Sequence, residues 1–155
     1  MEVQAGFRAD RMIKIVKTRP SHIYKILRIG KEQWYYEDWI TKKYLNNTIK
    51  NRGFHFTALV DNKVVGSIMV VELDIQKFWI FYFAVRKKYQ RHGIGTALLN
   101  KATREMKKNE FLFVDLTYGD ATGMKFYRKN KFKLMGRVKN WFEKGQDGIL
   151  MAKKM

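Results

Sequence analysis

The sequence predicts a mixed α/β (α+β) fold: a mostly antiparallel sheet of six to seven strands flanked by about four helices. Three observations predict it. Between residues 54 and 85, three strand-like runs follow one another through short connections, which reads as an antiparallel meander. The most apolar of them, 78–85, runs through a glycine-bearing turn at 90–95 into a helix. From residue 111 onward, strand, helix and strand patterns alternate. With 155 residues and no linker, one domain over 1–155 is expected, burying roughly 70% of its unfolded surface.

Residues 12–16 alternate loosely and form a first strand. Pro20 suits the first turn of a short helix with Ile23, Ile26 and Leu27 on one face, and Gly30 is expected to end it. Ile40, Tyr44, Leu45 and Ile49 recur at helical spacing and predict a second helix over 36–51, before Gly53. Strands at 54–60 and 64–73 meet at Asp61-Asn62-Lys63, a tight hairpin. The helix after the glycine turn carries Ile94, Ala97, Leu98, Ala102 and Met106 on one side and lysines on the other. A fifth strand at 111–117, a helix at 121–129, a sixth strand at 131–139 and a candidate seventh at 148–152 complete the chain, with Trp141 and Phe142 in a turn.

The composition narrows the chemistry. No cysteine means no disulfide, no thiolate metal site and no thiol nucleophile, so direct transfer is favoured over a covalent cysteine intermediate. His22, His55 and His92 are scattered without metal-ligand spacing, and no metal is expected. The N-terminus lacks a signal-peptide pattern and no run of 18 apolar residues occurs, which predicts a soluble cytoplasmic protein without membrane contact. The net charge of +18 is read first as a solvated surface and secondarily as a face for nucleic acid or a ribosomal partner. Residues 125–139 alone hold seven lysines and arginines.

The turn after the strand at 78–85 is built to hold a phosphate: glycines let bare backbone approach, and the following helix aims unpaired N–H groups at the ligand. A P-loop requires Lys followed by Ser or Thr, but Gly95 precedes Thr96-Ala97. A dinucleotide fingerprint requires a third glycine where Leu98 stands.

The run Val85-Arg86-Lys87-Lys88-Tyr89-Gln90-Arg91-His92-Gly93-Ile94-Gly95-Thr96-Ala97-Leu98-Leu99 resembles the signature of the GNAT superfamily of N-acetyltransferases, with Lys87 where proline is common. Residues 120–132, from Asp120 through Tyr127 to Phe132, resemble that family's second segment, with Asp120 in place of the usual Asn and Lys131 in place of Gly. The likeness covers about residues 54–135, and its tyrosine spacing is similar to that of ribosomal-protein N-terminal acetyltransferases.

The resemblance implies acetyl-CoA as cosubstrate and a fold whose fourth and fifth strands splay apart. The pantetheine arm then lies along Phe83, Ala84 and Val85, the pyrophosphate on Gln90, Arg91, His92, Gly93, Ile94, Gly95 and Thr96, and Asp120 and Tyr127 lie beside the cofactor. It implies Tyr127 as general acid and Asp115, twelve residues earlier, as general base, with Glu72 as rival base and Val85 N–H as the oxyanion donor.

The acceptor is a primary amine on a small molecule, a protein N-terminus or a lysine. Trp34, Tyr35, Glu37 and Glu72 are its candidate contacts, since ring faces and carboxylates suit a cationic amine. A homodimer is left open. The competing class is a non-catalytic basic module that binds coenzyme A or nucleic acid.

Overall fold

The computed structural model describes residues 12–33 and 41–155. The elements are β1 (Ile13–Lys17), α1 (Ile23–Gln33), α2 (Lys42–Thr48), β2 (Gly53–Val60), β3 (Lys63–Asp74), β4 (Lys77–Val85), α3 (Ile94–Arg104), β5 (Phe111–Thr117), α4 (Ala121–Lys129), β6 (Lys133–Glu143) and β7 (Gln146–Lys154). The seven strands follow the order β1-β2-β3-β4-β5-β7-β6, so β6 is an edge strand. The recorded pairings are antiparallel except that of β4 with β5, which is parallel and covers Lys77–Phe111, Phe78–Leu112 and Trp79–Phe113.

The chain divides into two units, one of residues 1–71 and 81–105, the other of residues 72–80 and 106–155. In the first, the β2–β3 hairpin turns on Asp61 and Asn62, both at positive φ (48° and 60°), as the sequence predicts. Two left-handed residues give the primed turn whose twist matches the flanking strands, and Asp and Asn tolerate that region. The apolar faces of α1 and α2, with Ile23, Ile26, Leu27, Ile29 and Leu45, bury against Val64, Met69, Tyr82 and Ala84 of the strands. Each fully covered isoleucine there contributes about 1.5–3 kcal/mol. The Tyr82 hydroxyl donates to the Ile26 carbonyl at 2.6 Å, which satisfies the one polar atom that this tyrosine brings inside. Buried Ile94, Leu98, Leu99 and Ala102 line α3, which packs on β1 and β2.

Two expectations need correction here. Gly30 does not end α1; it is buried within a helix that continues to Gln33, because packing outweighs an intrinsic cost of about 1 kcal/mol for glycine in a helix. Of the helix expected over 36–51, the described part is Lys42–Thr48, which starts where the Thr41 side chain accepts the Tyr44 N–H at 3.2 Å. Residues 34–40 lie outside the described residues.

In the second unit, β5 pairs with β7 from Phe111–Lys154 to Thr117–Gly148; Leu112, Val114, Met151 and Phe132 are buried there, as is Tyr127 of α4, whose ring meets Phe132. Trp141 and Phe142 are strand residues, contrary to the turn expected for them, since β6 runs on to Glu143 and the chain reverses at Lys144 and Gly145 (φ 83°). An irregular stretch between Val138 and Glu143, with Asn140 at φ 53°, hides that continuation from an alternation pattern.

Candidate active site

In the first unit, β4 ends at Val85 and a short 3-10 turn, Lys87–Tyr89, leads to Gln90. Arg91 (φ 62°) and Gly93 (φ 81°) then adopt left-handed conformations, and Gly93 caps α3 without a side chain. The first intrahelical bond runs from Ala97 N–H to the Gly93 carbonyl at 2.9 Å, so the N–H groups of Ile94, Gly95 and Thr96 point out of the helix start. A Cβ placed on Gly93 meets nothing within 4 Å, so backbone conformation and not space demands glycine there. Gln90, Arg91, His92 and Thr96 are exposed around this turn, with Lys87 and Lys88 beside them. The donors, the helix end and the cations suit a pyrophosphate.

The edge of β4 is organised by hydrogen bonds that local sequence reasoning missed. Arg86 N–H donates to the Val65 carbonyl of β3 at 2.7 Å. Backbone groups alternate sides along a strand, so the N–H and carbonyl of Val85, like those of Phe83, face away from β3. The Val85 carbonyl accepts the Gln90 side-chain amide at 2.9 Å and also the Gln33 side-chain amide at the end of α1. Both lone pairs of that carbonyl are engaged, and the Val85 N–H is the group that remains on that side of the strand. Ala84 is buried between its neighbours, and the Ala84 carbonyl would lie 2.9 Å from a Cβ on Gly66.

The second unit holds the groups that can move protons. Tyr127 is buried, with its ring edge-on to Phe126 and Phe132 at centroid distances of 5.2 and 5.1 Å. Burial, reinforced by the negative charges of Asp115 and Asp120, pushes its phenol well above the ordinary tyrosine range. Such a phenol stays protonated at neutral pH, the state that a proton donor needs.

Asp115 is held by two indoles: Trp79 Nε1 donates to Oδ1 at 2.7 Å and Trp141 Nε1 donates to Oδ2 at 2.8 Å. No sequence spacing signals this pair, since the partners lie 36 and 26 residues away. Trp141 lies against Gly148, which leaves no room for a Cβ. Glu72 is half-buried near the end of β3. Asp120 caps α4, its Oδ1 accepting the Gly123 N–H at 2.9 Å, which an asparagine side chain would also do. The hairpin that carries Trp141 is tied down by Asp147, whose Oδ2 takes two Arg137 N–H bonds at 2.8 Å and whose Oδ1 takes the Asn140 N–H at 3.0 Å. The Arg137 guanidinium lies over the Tyr118 ring at 3.5 Å.

His92 is exposed in the turn. Trp34, Tyr35 and Glu37 lie outside the described residues. Among the described residues no group of three or more His, Cys, Asp or Glu is arranged for a metal, and no helix is long and apolar enough to cross a membrane.

Residues 21–132 match the acetyltransferase (GNAT) family. The N-alpha-acetyltransferase of Saccharolobus solfataricus is 30% identical over 114 residues, covering 64% of this chain and 68% of that protein. In fold, the chain is similar to the ribosomal-protein-S18-alanine N-acetyltransferase from Escherichia coli, with a TM-score of 0.80 at 21% identity over 92% of this chain and 94% of that one. It is also similar to Arabidopsis thaliana Naa50 in complex with the bisubstrate analogue CoA-Ac-MVNAL, with a TM-score of 0.79 at 20% identity over 92% and 99% of the two chains. The matched stretch, containing the glycine turn, Asp115 and Tyr127, and the shared fold lead to one identification: the chain belongs to the acetyltransferase (GNAT) family and is an acyl-CoA-dependent acetyltransferase.

Proposed function

We propose that this protein is a single-domain cytoplasmic enzyme that acetylates the α-amino group of a peptide or protein N-terminus, by direct attack on acetyl-CoA in a ternary complex. The family match runs from 21 to 132 through both units, which supports one domain, and the archaeal relative named for N-alpha acetylation supports the acceptor class. The observation that carries the mechanism is the pairing, within one unit, of a phenol held protonated with a carboxylate held in place by two indoles.

Acetyl-CoA supplies an activated thioester. The N–H groups of Ile94, Gly95 and Thr96 hold its pyrophosphate, with Gln90, Arg91, His92 and Gly93 shaping the turn, and the end of β4 at Phe83, Ala84 and Val85 takes the pantetheine alongside it. The three-pair β4–β5 ladder, which ends at Trp79 and Phe113, supports that reading. Val85 N–H polarises the thioester carbonyl, a role that contributes about 10²–10³ in rate elsewhere. An ammonium acceptor sheds two protons on becoming an amide. Asp115 takes one and passes it to water; Tyr127 gives its phenolic proton to the departing sulfur and regains one, through solvent, from the nitrogen. Glu72 is the alternative acceptor of the first proton and, with Trp34, Tyr35 and Glu37, a contact for the amine.

Coenzyme A release from acetyl-CoA tests this, with free-N-terminus peptides, polyamines, aminoglycosides and free amino acids as acceptors. Turnover should favour the peptides. Preference for a polyamine would overturn the acceptor class, and no release with any of them would overturn the reading as a whole.

One observation favours a second role for the surface. Residues 121–142 contain no acid and seven exposed lysines and arginines, and apart from Arg137 none of these has an ion-pair partner among the described residues. Such a surface suits a polyanion such as ribosomal RNA near an emerging substrate. Binding of a fluorescent RNA should weaken linearly in log-log salt dependence, and three Lys→Gln changes at Lys129, Lys131 and Lys133 should flatten that slope more than three at Lys14, Lys17 and Lys63. Equal flattening would assign the effect to net charge alone.

A further inference from the structure

We infer that Trp79 and Trp141 are positioning residues that act through Asp115, so that the aim of the proton acceptor is set by how the β6–β7 hairpin is seated. The inference rests on the proposal that Asp115 accepts the amine's proton. A carboxylate has about four lone-pair sites, two on each oxygen, and is free to spin about its Cβ–Cγ bond unless something holds it. Here one indole N–H holds each oxygen, at 2.7 and 2.8 Å. With one bond to each oxygen, the carboxylate plane is defined and one acceptor site per oxygen remains for the amine or a water.

The two holders differ in kind. Trp79 stands on β4 as the last member of the parallel ladder to β5, in register with Phe113. Trp141 comes from the edge strand and is 45% exposed, a high value for an indole whose N–H is engaged. Its seat is nonetheless defined. The ring lies against the backbone of Gly148, whose added Cβ would approach it to 2.6 Å, and Gly148 is in register with Thr117, two residues after Asp115. Asp147, next to Gly148, binds both Arg137 and the Asn140 N–H, and the Tyr118 N–H donates to the Asp147 carbonyl at 2.9 Å. The latch and the strand that it aims are therefore held by one set of bonds. An acceptor that contacts the hairpin can move Trp141 and thereby alter Asp115, which gives the hairpin a say in rate as well as in affinity.

The test uses the full chain, with acetyl-CoA and an equimolar library of free-N-terminus pentapeptides varied at the first residue, and coenzyme A release as the readout. Trp141→Phe keeps a ring and removes the N–H; it should lower kcat about tenfold and leave the KM for acetyl-CoA unchanged. Asp115→Asn should lower kcat further, and the double variant should be no slower than Asp115→Asn alone, because two residues that act through one atom do not add. Of the four tryptophan indole proton resonances, two should move in Asp115→Asn and one of those two should be missing in Trp141→Phe. Full additivity of the two losses overturns the positioning role even if Asp115 proves essential. A wild-type rate in Asp115→Asn overturns the assignment of the base instead. Should Trp141→Phe fold poorly, Gly148→Ala, which displaces the ring but keeps the N–H, must give the same kcat loss, and an unchanged kcat there overturns the inference.

Discussion

The Trp141 side chain lies against Gly148, on the partner strand of the β6–β7 hairpin, so closely that any side chain at 148 displaces the indole. Gly148→Ala is therefore expected to separate Trp141 from Asp115 without substituting either residue. Overpacking of this kind costs about 1–3 kcal/mol. Thermal unfolding measures that cost, and the indole proton resonance of Trp141 reports whether its bond to Asp115 is lost.

Tyr127→Phe keeps the edge-on contacts with Phe126 and Phe132 and removes only the hydroxyl. If that hydroxyl protonates the sulfur, single-turnover acetyl transfer should slow by about 10²–10⁴ with the fold retained. A rate within a few-fold of wild type would leave Tyr127 as a packing residue. Because the phenol is held above its ordinary range, the acid stays protonated across neutral pH, so an alkaline fall in rate near pH 8 should survive unchanged in this variant if another group causes it.

Gly93→Ala puts a β-carbon on a left-handed residue with nothing to strike, so its whole cost is backbone strain of about 1–2 kcal/mol. Relief of that strain reorients the first turn of α3. Calorimetric affinity for acetyl-CoA should fall about tenfold, and the KM for the peptide acceptor should change less. Equal loss for both substrates would argue against a phosphate site at the helix start.

His55 is held below its ordinary value of 6.5, chiefly by burial and against a weak opposing bond to the Asn51 carbonyl at 3.4 Å. A lowered folded pKa means that the unfolded chain binds the proton more readily. The stabilising preference for neutral His55 is fully present above pH 6.5 and is lost as pH falls through the folded value. The melting temperature should therefore decline below about pH 6.5, and His55→Phe should flatten part of that decline. His22, lowered by burial and by nearby Arg19 and Lys25, should account for some of the remainder.

What the sequence made legible was local. Asp61-Asn62-Lys63 reads as a tight hairpin because Asp and Asn tolerate positive φ, and Gly93-Ile94-Gly95 reads as a turn opening a helix because the glycines stand between a buried strand and a helical pattern. What escaped was set by partners far along the chain. Gln33 reaches the Val85 carbonyl over 52 residues, and no pattern within α1 marks it. Trp79 and Trp141 looked like strand and turn aromatics, because an indole that holds a carboxylate has the same local signature as one that fills a core. The end of β6 is hidden from the sequence because its irregular stretch breaks alternation where pairing with β7 sustains the strand. Gly30 looks like a helix end because glycine is a helix breaker in isolation, whereas the burial that carries α1 on to Gln33 depends on distant strands.

The edge strand β6 is exposed along nearly all its length and carries Lys133, Arg137 and Lys139. Two copies meeting strand to strand there would bring like charges face to face, which guards an open ladder against unwanted partners. The same guard fails when the charge is masked: at molar salt, or with Lys133 and Lys139 neutralised, this protein should self-associate through β6 and become prone to precipitation.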